Sequence, residues 1–175
     1  MKKLTTSLMA LVVAVLFVAT PASAGPKGDT IVDVAIAANG PGGAFEGQLE
    51  TLIAALQAAD PAVLSTLSGN GQHTVFAPTD AAFDALGLNA SNIGSAFSTQ
   101  TLTEILLYHV ANGRRDAADV TTSSQIRTLY KDFLYVSGAV LTDKVGRSAN
   151  IIATDVPAAN GIIHVIDQVV LPYSP

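Results

Sequence analysis

The chain has 175 residues, 49% of them hydrophobic, only 13% charged and 6% aromatic, with no cysteine. Nine basic residues against fourteen acidic ones leave a net charge of −5 at pH 7. No run or stripe of Arg and Lys appears, which argues against nucleic acid as a partner. The lack of cysteine excludes disulfide staples, thiolate metal or redox chemistry and a lipidated-cysteine anchor, so the fold must rest on its hydrophobic core.

Residues 1–24 read as a signal peptide: Lys2 and Lys3, the apolar run Leu8–Ala19, then the small-residue cleavage site Ala22-Ser23-Ala24. About a dozen apolar residues is too short for a bilayer, which takes roughly 20. The expectation is a secreted protein, periplasmic or extracellular, cut after Ala24 and left without a stable membrane anchor. The segment holds two of the basic residues and no acidic one, so residues 25–175 carry a net charge of −7. That length suits a single domain, able to bury roughly 70% of its unfolded surface.

Helices are expected first. Thr30–Ala38 stops at the breaker cluster Asn39-Gly40-Pro41-Gly42-Gly43. In Gln48–Ala59, Leu49, Leu52, Ile53 and Leu56 recur at helical spacing and form one apolar stripe. Pro61 opens a further helical turn that ends before Gly69-Asn70-Gly71. His73–Ala77 is a short β-type run, after which Thr79 stands where its hydroxyl would cap a helix over Asp80–Leu86, with Phe83 and Leu86 facing inward. Asp80 and Asp84 share a face there and read as cap and dipole partners on a solvated surface. The next helix runs to about His109, with Thr101 and Glu104 spaced as a capping box.

The last third is β-rich: Ile126–Tyr130, Phe133–Val136, Ala139–Thr142, Asn150–Val156 and Ile162–Val170 are apolar runs between Gly, Asp and Asn turns. Helices followed by strands predict an α+β domain. There is no internal repeat.

Three blocks carry a resemblance: TVFAPTDAAF (Thr74–Phe83), LLYHVANG (Leu106–Gly113) and NGIIHVIDQVVLP (Asn160–Pro172). In this order and at these separations they closely resemble the signature of the fasciclin domain, and the match extends over essentially all of residues 25–175. The resemblance implies a twisted β-sandwich or wedge of about seven strands with helices packed along one edge. It also implies an extracellular adhesion or matrix-interaction module. Val75, Phe76, Phe83, Ile162, Ile163, Val165 and Ile166 read as core residues gathered at one corner, so most of the signature is structural.

In animal members the tyrosine–histidine block, Tyr108-His109 here, and nearby Asp-Ile pairs are linked to integrin binding. The Asp-Ile pairs do not carry over, since Asp167 precedes Gln168 and Asp155 precedes Val156, and in Arg114-Arg115-Asp116 it is Arg115 that stands where an Arg-Gly-Asp tripeptide would need glycine. His109 shares a helical face with Leu102, Ile105 and Leu106, which reads as a buried, hydrogen-bonded histidine. Arg114-Arg115, the only basic pair of residues 25–175, reads as a patch for acidic glycans or phosphate groups. The candidate binding residues are therefore Tyr108, His109, Arg114 and Arg115. His73, His109 and His164 lack local metal-ligand spacing, and no nucleophile elbow or phosphate loop appears, so no catalytic residue, metal or cofactor is expected. The function expected is non-enzymatic binding to a cell-surface or matrix protein or glycan, with weak self-association as a further option. The alternative is a carrier of a small apolar ligand such as a carotenoid.

Overall fold

The computed structural model describes residues 27–173, so the signal peptide expected over residues 1–24 lies outside the described part. Thr30 opens α1 (Ile31–Asn39) with a reciprocal cap: its hydroxyl accepts from the Asp33 N–H, while the Asp33 carboxylate accepts from the Thr30 N–H and hydroxyl. Helices α2 (Glu50–Ala58) and α3 (Pro61–Leu67) follow, the latter capped by Asp60, with Pro61 where a missing N–H does no harm. Next come β1 (His73–Pro78), α4 (Asp80–Asp84), α5 (Ile93–Ala96), α6 (Thr99–Tyr108), β2 (Val110–Asn112) and α7 (Ala117–Thr122). The chain ends in β3 (Gln125–Arg127), β4 (Phe133–Ser137), β5 (Val140–Thr142), β6 (Ser148–Ala158) and β7 (Gly161–Ile166).

The strands lie in the order β2-β1-β7-β6-β5-β4-β3, and only the β1–β7 pair is parallel. The two ends of that order come together through a bridge between Ala111 and Thr128 and a 2.7 Å bond from the Leu129 N–H to the Val110 carbonyl. The sheet is thus nearly closed into a wedge, which leaves few unpaired edge groups. The α+β class and the seven strands agree with the expectation.

Two apolar cores result. One lies between the helices and one face of β1 and β7, and includes Leu52, Val63, Val75, Phe83, Leu106 and Ile163. The other fills the wedge with Phe76, Tyr108, Ile126, Leu134, Leu141 and Ile166. Residues alternate between the two faces of a strand, and β1 and β7 have a core on each side, so all six residues of both are buried. Their register needs Gly161, because a Cβ there would stand 2.0 Å from the His73 carbonyl oxygen.

Several local expectations are corrected. The Thr79 hydroxyl makes no cap bond, and helix α4 is short enough to leave Leu86 39% exposed. Asp80 does sit in the first turn of α4, but its carboxylate is not left to solvent: it accepts from the Glu50 and Thr51 N–H groups at 3.1 and 2.8 Å, capping α2, whose own N-cap Leu49 has no side-chain oxygen to offer. Asp84, one turn on, is exposed as expected. Ser98, not Thr101, caps α6, while Glu104 is occupied by Gln100 and Tyr173. The expected strand Ile126–Tyr130 breaks after Arg127, where the chain turns through Lys131 at φ 71°. Helices α5 and α7 and strand β2 lie where the sequence pattern predicts no element.

Candidate binding surface

The residues singled out by the tyrosine–histidine block are internal. Tyr108, in the last turn of α6, is 0% exposed; its hydroxyl donates to the Phe133 carbonyl at 2.9 Å and accepts from the Lys144 N–H at 3.2 Å. Burial pushes its phenol up to about 12. Tyr130 meets it edge-on at 6.2 Å between ring centres.

His109, the C-cap of α6, is 2% exposed. Its Nδ1 lies 2.8 Å from the Ile105 carbonyl, and its Nε2 lies 3.3 Å from the Val170 N–H. A carbonyl only accepts and an amide only donates, so these partners select the neutral ring with the proton on Nδ1. Burial in turn pushes the ring down to about 4. As expected from its helical face, His109 is a hydrogen-bonded core residue, and neither it nor Tyr108 reaches the surface.

Arg114 and Arg115 part company. The loop they share is pinned by Thr74, whose hydroxyl donates to the Gly113 carbonyl and accepts from the Arg115 N–H, and by His164, whose Nε2 bonds the Arg115 carbonyl at 3.0 Å. Arg114 then donates from one guanidinium nitrogen to the Ala158 and Gly161 carbonyls, bracing the β6–β7 turn. Arg115 instead lines an open cleft of about 440 Å³ beside Arg127 and Lys131. Sequence reading missed those two because they sit 12 and 16 positions further along, in the turn region that brings β3 against β2. Only that closure of the sheet makes them neighbours of Arg115.

The three histidines do not converge. His73 has a buried Nδ1 with no partner, His109 is tied to α6, and His164 stacks on Phe76 at 5.8 Å. Among the described residues, no group of three or more His, Cys, Asp or Glu side chains is placed to hold a metal.

The other accessible feature is the outer face of β3–β6. Ile126, Leu134, Leu141 and Ala149 point into the wedge. Register therefore puts Gln125, Tyr135, Thr142 and Ser148 in one outward row, with Tyr135 52% exposed. Further along β6, Ile152 is 54% exposed. Among the described residues, no helix is long and apolar enough to cross a membrane.

Comparison with known proteins fits this architecture. A protein named sll1483, from Synechocystis sp., is 40% identical over 152 residues, covering 82% of this chain and 73% of that protein. The immunogenic protein MPB70 of Mycobacterium bovis is 40% identical over 129 residues, which is 71% of this chain and 64% of that protein. A solved pair of FAS1 domains from the insect cell adhesion molecule fasciclin I superposes with a TM-score of 0.56 at 25% identity, over 71% of this chain and 45% of that one. The family model described as Fasciclin domain matches residues 47–172, which takes in all three sequence blocks and every strand, so the chain belongs to the fasciclin-domain family.

Proposed function

We propose that this protein is a non-enzymatic binding module that works outside the cell, attaching to a cell-surface or matrix component. In this reading, residues 25–175 are a single domain released by cleavage after Ala24. One observation carries it. The polar side chains that would be candidates for chemistry, Tyr108, His109 and His164, are occupied by internal hydrogen bonds, whereas the outward row around Tyr135 is uncovered. A rigid sheet presenting an exposed tyrosine suits recognition by surface complementarity, where Tyr is enriched among energetic hot spots. The superposition on a cell adhesion molecule supports the same reading.

The apolar-carrier alternative has less to support it. Two hollows beside α2, lined by residues such as Leu52, Leu106 and His109, hold about 20 Å³ each. The groove of Val32, Ile36, Ile53 and Leu64 holds about 130 Å³. Small-molecule sites run from roughly 300 Å³ upward.

The test is binding of labelled protein to whole cells and isolated envelope or matrix of the producing organism. Saturable binding that unlabelled protein competes away is expected. Binding no greater than that of an unrelated acidic protein would sink the proposal, and extra mass in native mass spectrometry would favour the carrier.

A further inference from the structure

We propose that the cleft beside Arg115 is a site for an acidic saccharide. Its lining is Asn112, Arg115, Arg127, Thr128, Leu129 and Lys131, three cations and no carboxylate. That concentration is unusual in this chain, which has seven basic residues beyond Lys2 and Lys3 and a net charge of −5 overall. The other cations near the sheet are engaged: Lys144 pairs with Asp132, Arg147 with Asp143, and Arg114 with two carbonyls. Neighbouring carboxylates are engaged too, since Asp116 caps α7 and Asp132 is held by Lys144. Among the described residues, Arg115 Nε is buried without a hydrogen-bond partner, and neither ion pair involves Arg115, Arg127 or Lys131. Three uncompensated cations around one hollow make a local positive field in an acidic protein.

The chemistry of the lining narrows the ligand. Two guanidinium groups suit carboxylate or sulfate oxygens, which they grip in pairs. A volume of about 440 Å³ suits one or two sugar rings. Half-buried Leu129 offers an apolar wall for a ring face, and the exposed Asn112 amide offers both donor and acceptor to hydroxyls. No aromatic side chain lines the cleft to stack a base, as a site for single-stranded nucleic acid would require. The choice of a saccharide rests on the surface-attachment reading above; the anion site itself rests on the cleft alone.

Lys131 makes a clean test. It holds φ 71°, a conformation that costs most residues about 1 kcal/mol and glycine almost nothing. Lys131→Gly therefore removes the charge while leaving the thermal midpoint equal or higher. Purified protein is titrated calorimetrically with a galacturonate hexamer, which bears carboxylates alone, and a heparin-derived hexasaccharide, which bears carboxylates and sulfates together, so that the pair shows whether sulfate is required. Maltohexaose is the neutral control and sodium phosphate the free-anion control.

At least one acidic oligosaccharide is expected to bind, more weakly as salt rises, with maltohexaose silent. Lys131→Gly and Arg127→Gln should each lower that affinity about tenfold, while Lys27→Gln, outside the cleft, leaves it unchanged. The proposal is overturned if neither oligosaccharide binds, if phosphate alone does, or if the cleft variants bind as the parent does. Saturable attachment to cells measured beside any of these three failures would leave the attachment reading standing without this site.

Discussion

His109 Nε2 accepts from the Val170 N–H at 3.3 Å, joining the end of α6 to the segment after β7 across 61 positions of the chain. With Nδ1 donating to Ile105, both ring nitrogens are used only while the ring is neutral. Protonation would put a donor against the Val170 N–H inside an apolar core.

Stability should therefore fall on mild acidification. Burial lowers the folded-state value of His109 from 6.5 to about 4, so between those limits the unfolded chain binds the proton and the native one does not. The contribution is fully present above pH 6.5, declines as pH falls, and is gone near pH 4. At roughly 1.4 kcal/mol per unit it amounts to about 3 kcal/mol. His73, lowered by desolvation, acts in the same direction. Urea midpoints between pH 4.5 and 7.5 check this: His109→Asn should be less stable throughout but flatter in pH. NMR signals showing the His109 ring titrating near 6.5 would refute it.

Asp80 and Asp84 look equivalent in sequence and should behave differently. Asp80→Ala strips two N–H partners from the start of α2 and is expected to cost about 1–2 kcal/mol. Asp84→Ala, at an exposed position, should stay within about 0.5 kcal/mol of the parent. Thermal or urea unfolding of both variants decides it; equal midpoints would mean that the α2 cap carries no weight.

Asn160 is the most heavily used buried amide among the described residues. Its Oδ1 accepts from the Ile31 N–H at 2.8 Å, and its Nδ2 donates to the Leu67 and Gly69 carbonyls at 2.7 and 2.9 Å. One side chain thus joins the start of α1, the end of α3 and the β6–β7 turn. Asn160→Ala leaves three backbone groups without this partner and should cost about 3 kcal/mol or more. Asn160→Asp keeps the acceptor but loses the donors, so its midpoint should be lowered as well. An unchanged midpoint in either variant would show that water replaces the amide.

What was legible in the sequence was periodic or local. The apolar stripe of α2 and the short runs of β4 and β5 were visible because each element's own residues determine its burial. The joint signature blocks pointed to the fold for a related reason: Val75, Phe76, Phe83, Ile163 and Ile166 all serve the two cores. What failed was tertiary. Asp80 caps a helix 29 positions back, α7 is held by Asp116 and by the Asp155 carboxylate on β6, and β2 is a strand only because β1 lies beside it. The candidate site divided in the same way. The helical face of His109 foretold its burial, whereas the cleft of Arg115 with Arg127 and Lys131 exists only once the sheet closes.

Tyr108 and Tyr135 separate folding from binding. Tyr108→Phe removes the bonds to Phe133 and Lys144 while keeping the ring, so it should lower stability by about 1–2 kcal/mol and leave cell attachment per folded molecule unchanged. Tyr135→Ala, on the outer face, should leave the thermal midpoint nearly unchanged and weaken attachment by about fivefold or more if the face is the contact surface. Both variants are compared below their unfolding transitions, with the folded fraction measured by circular dichroism in the same samples. Reduced attachment of fully folded Tyr108→Phe would contradict its internal role. Undiminished attachment of Tyr135→Ala would move the contact surface away from the β3–β6 face, because a half-exposed aromatic at the centre of a true interface is the side chain whose truncation is felt most.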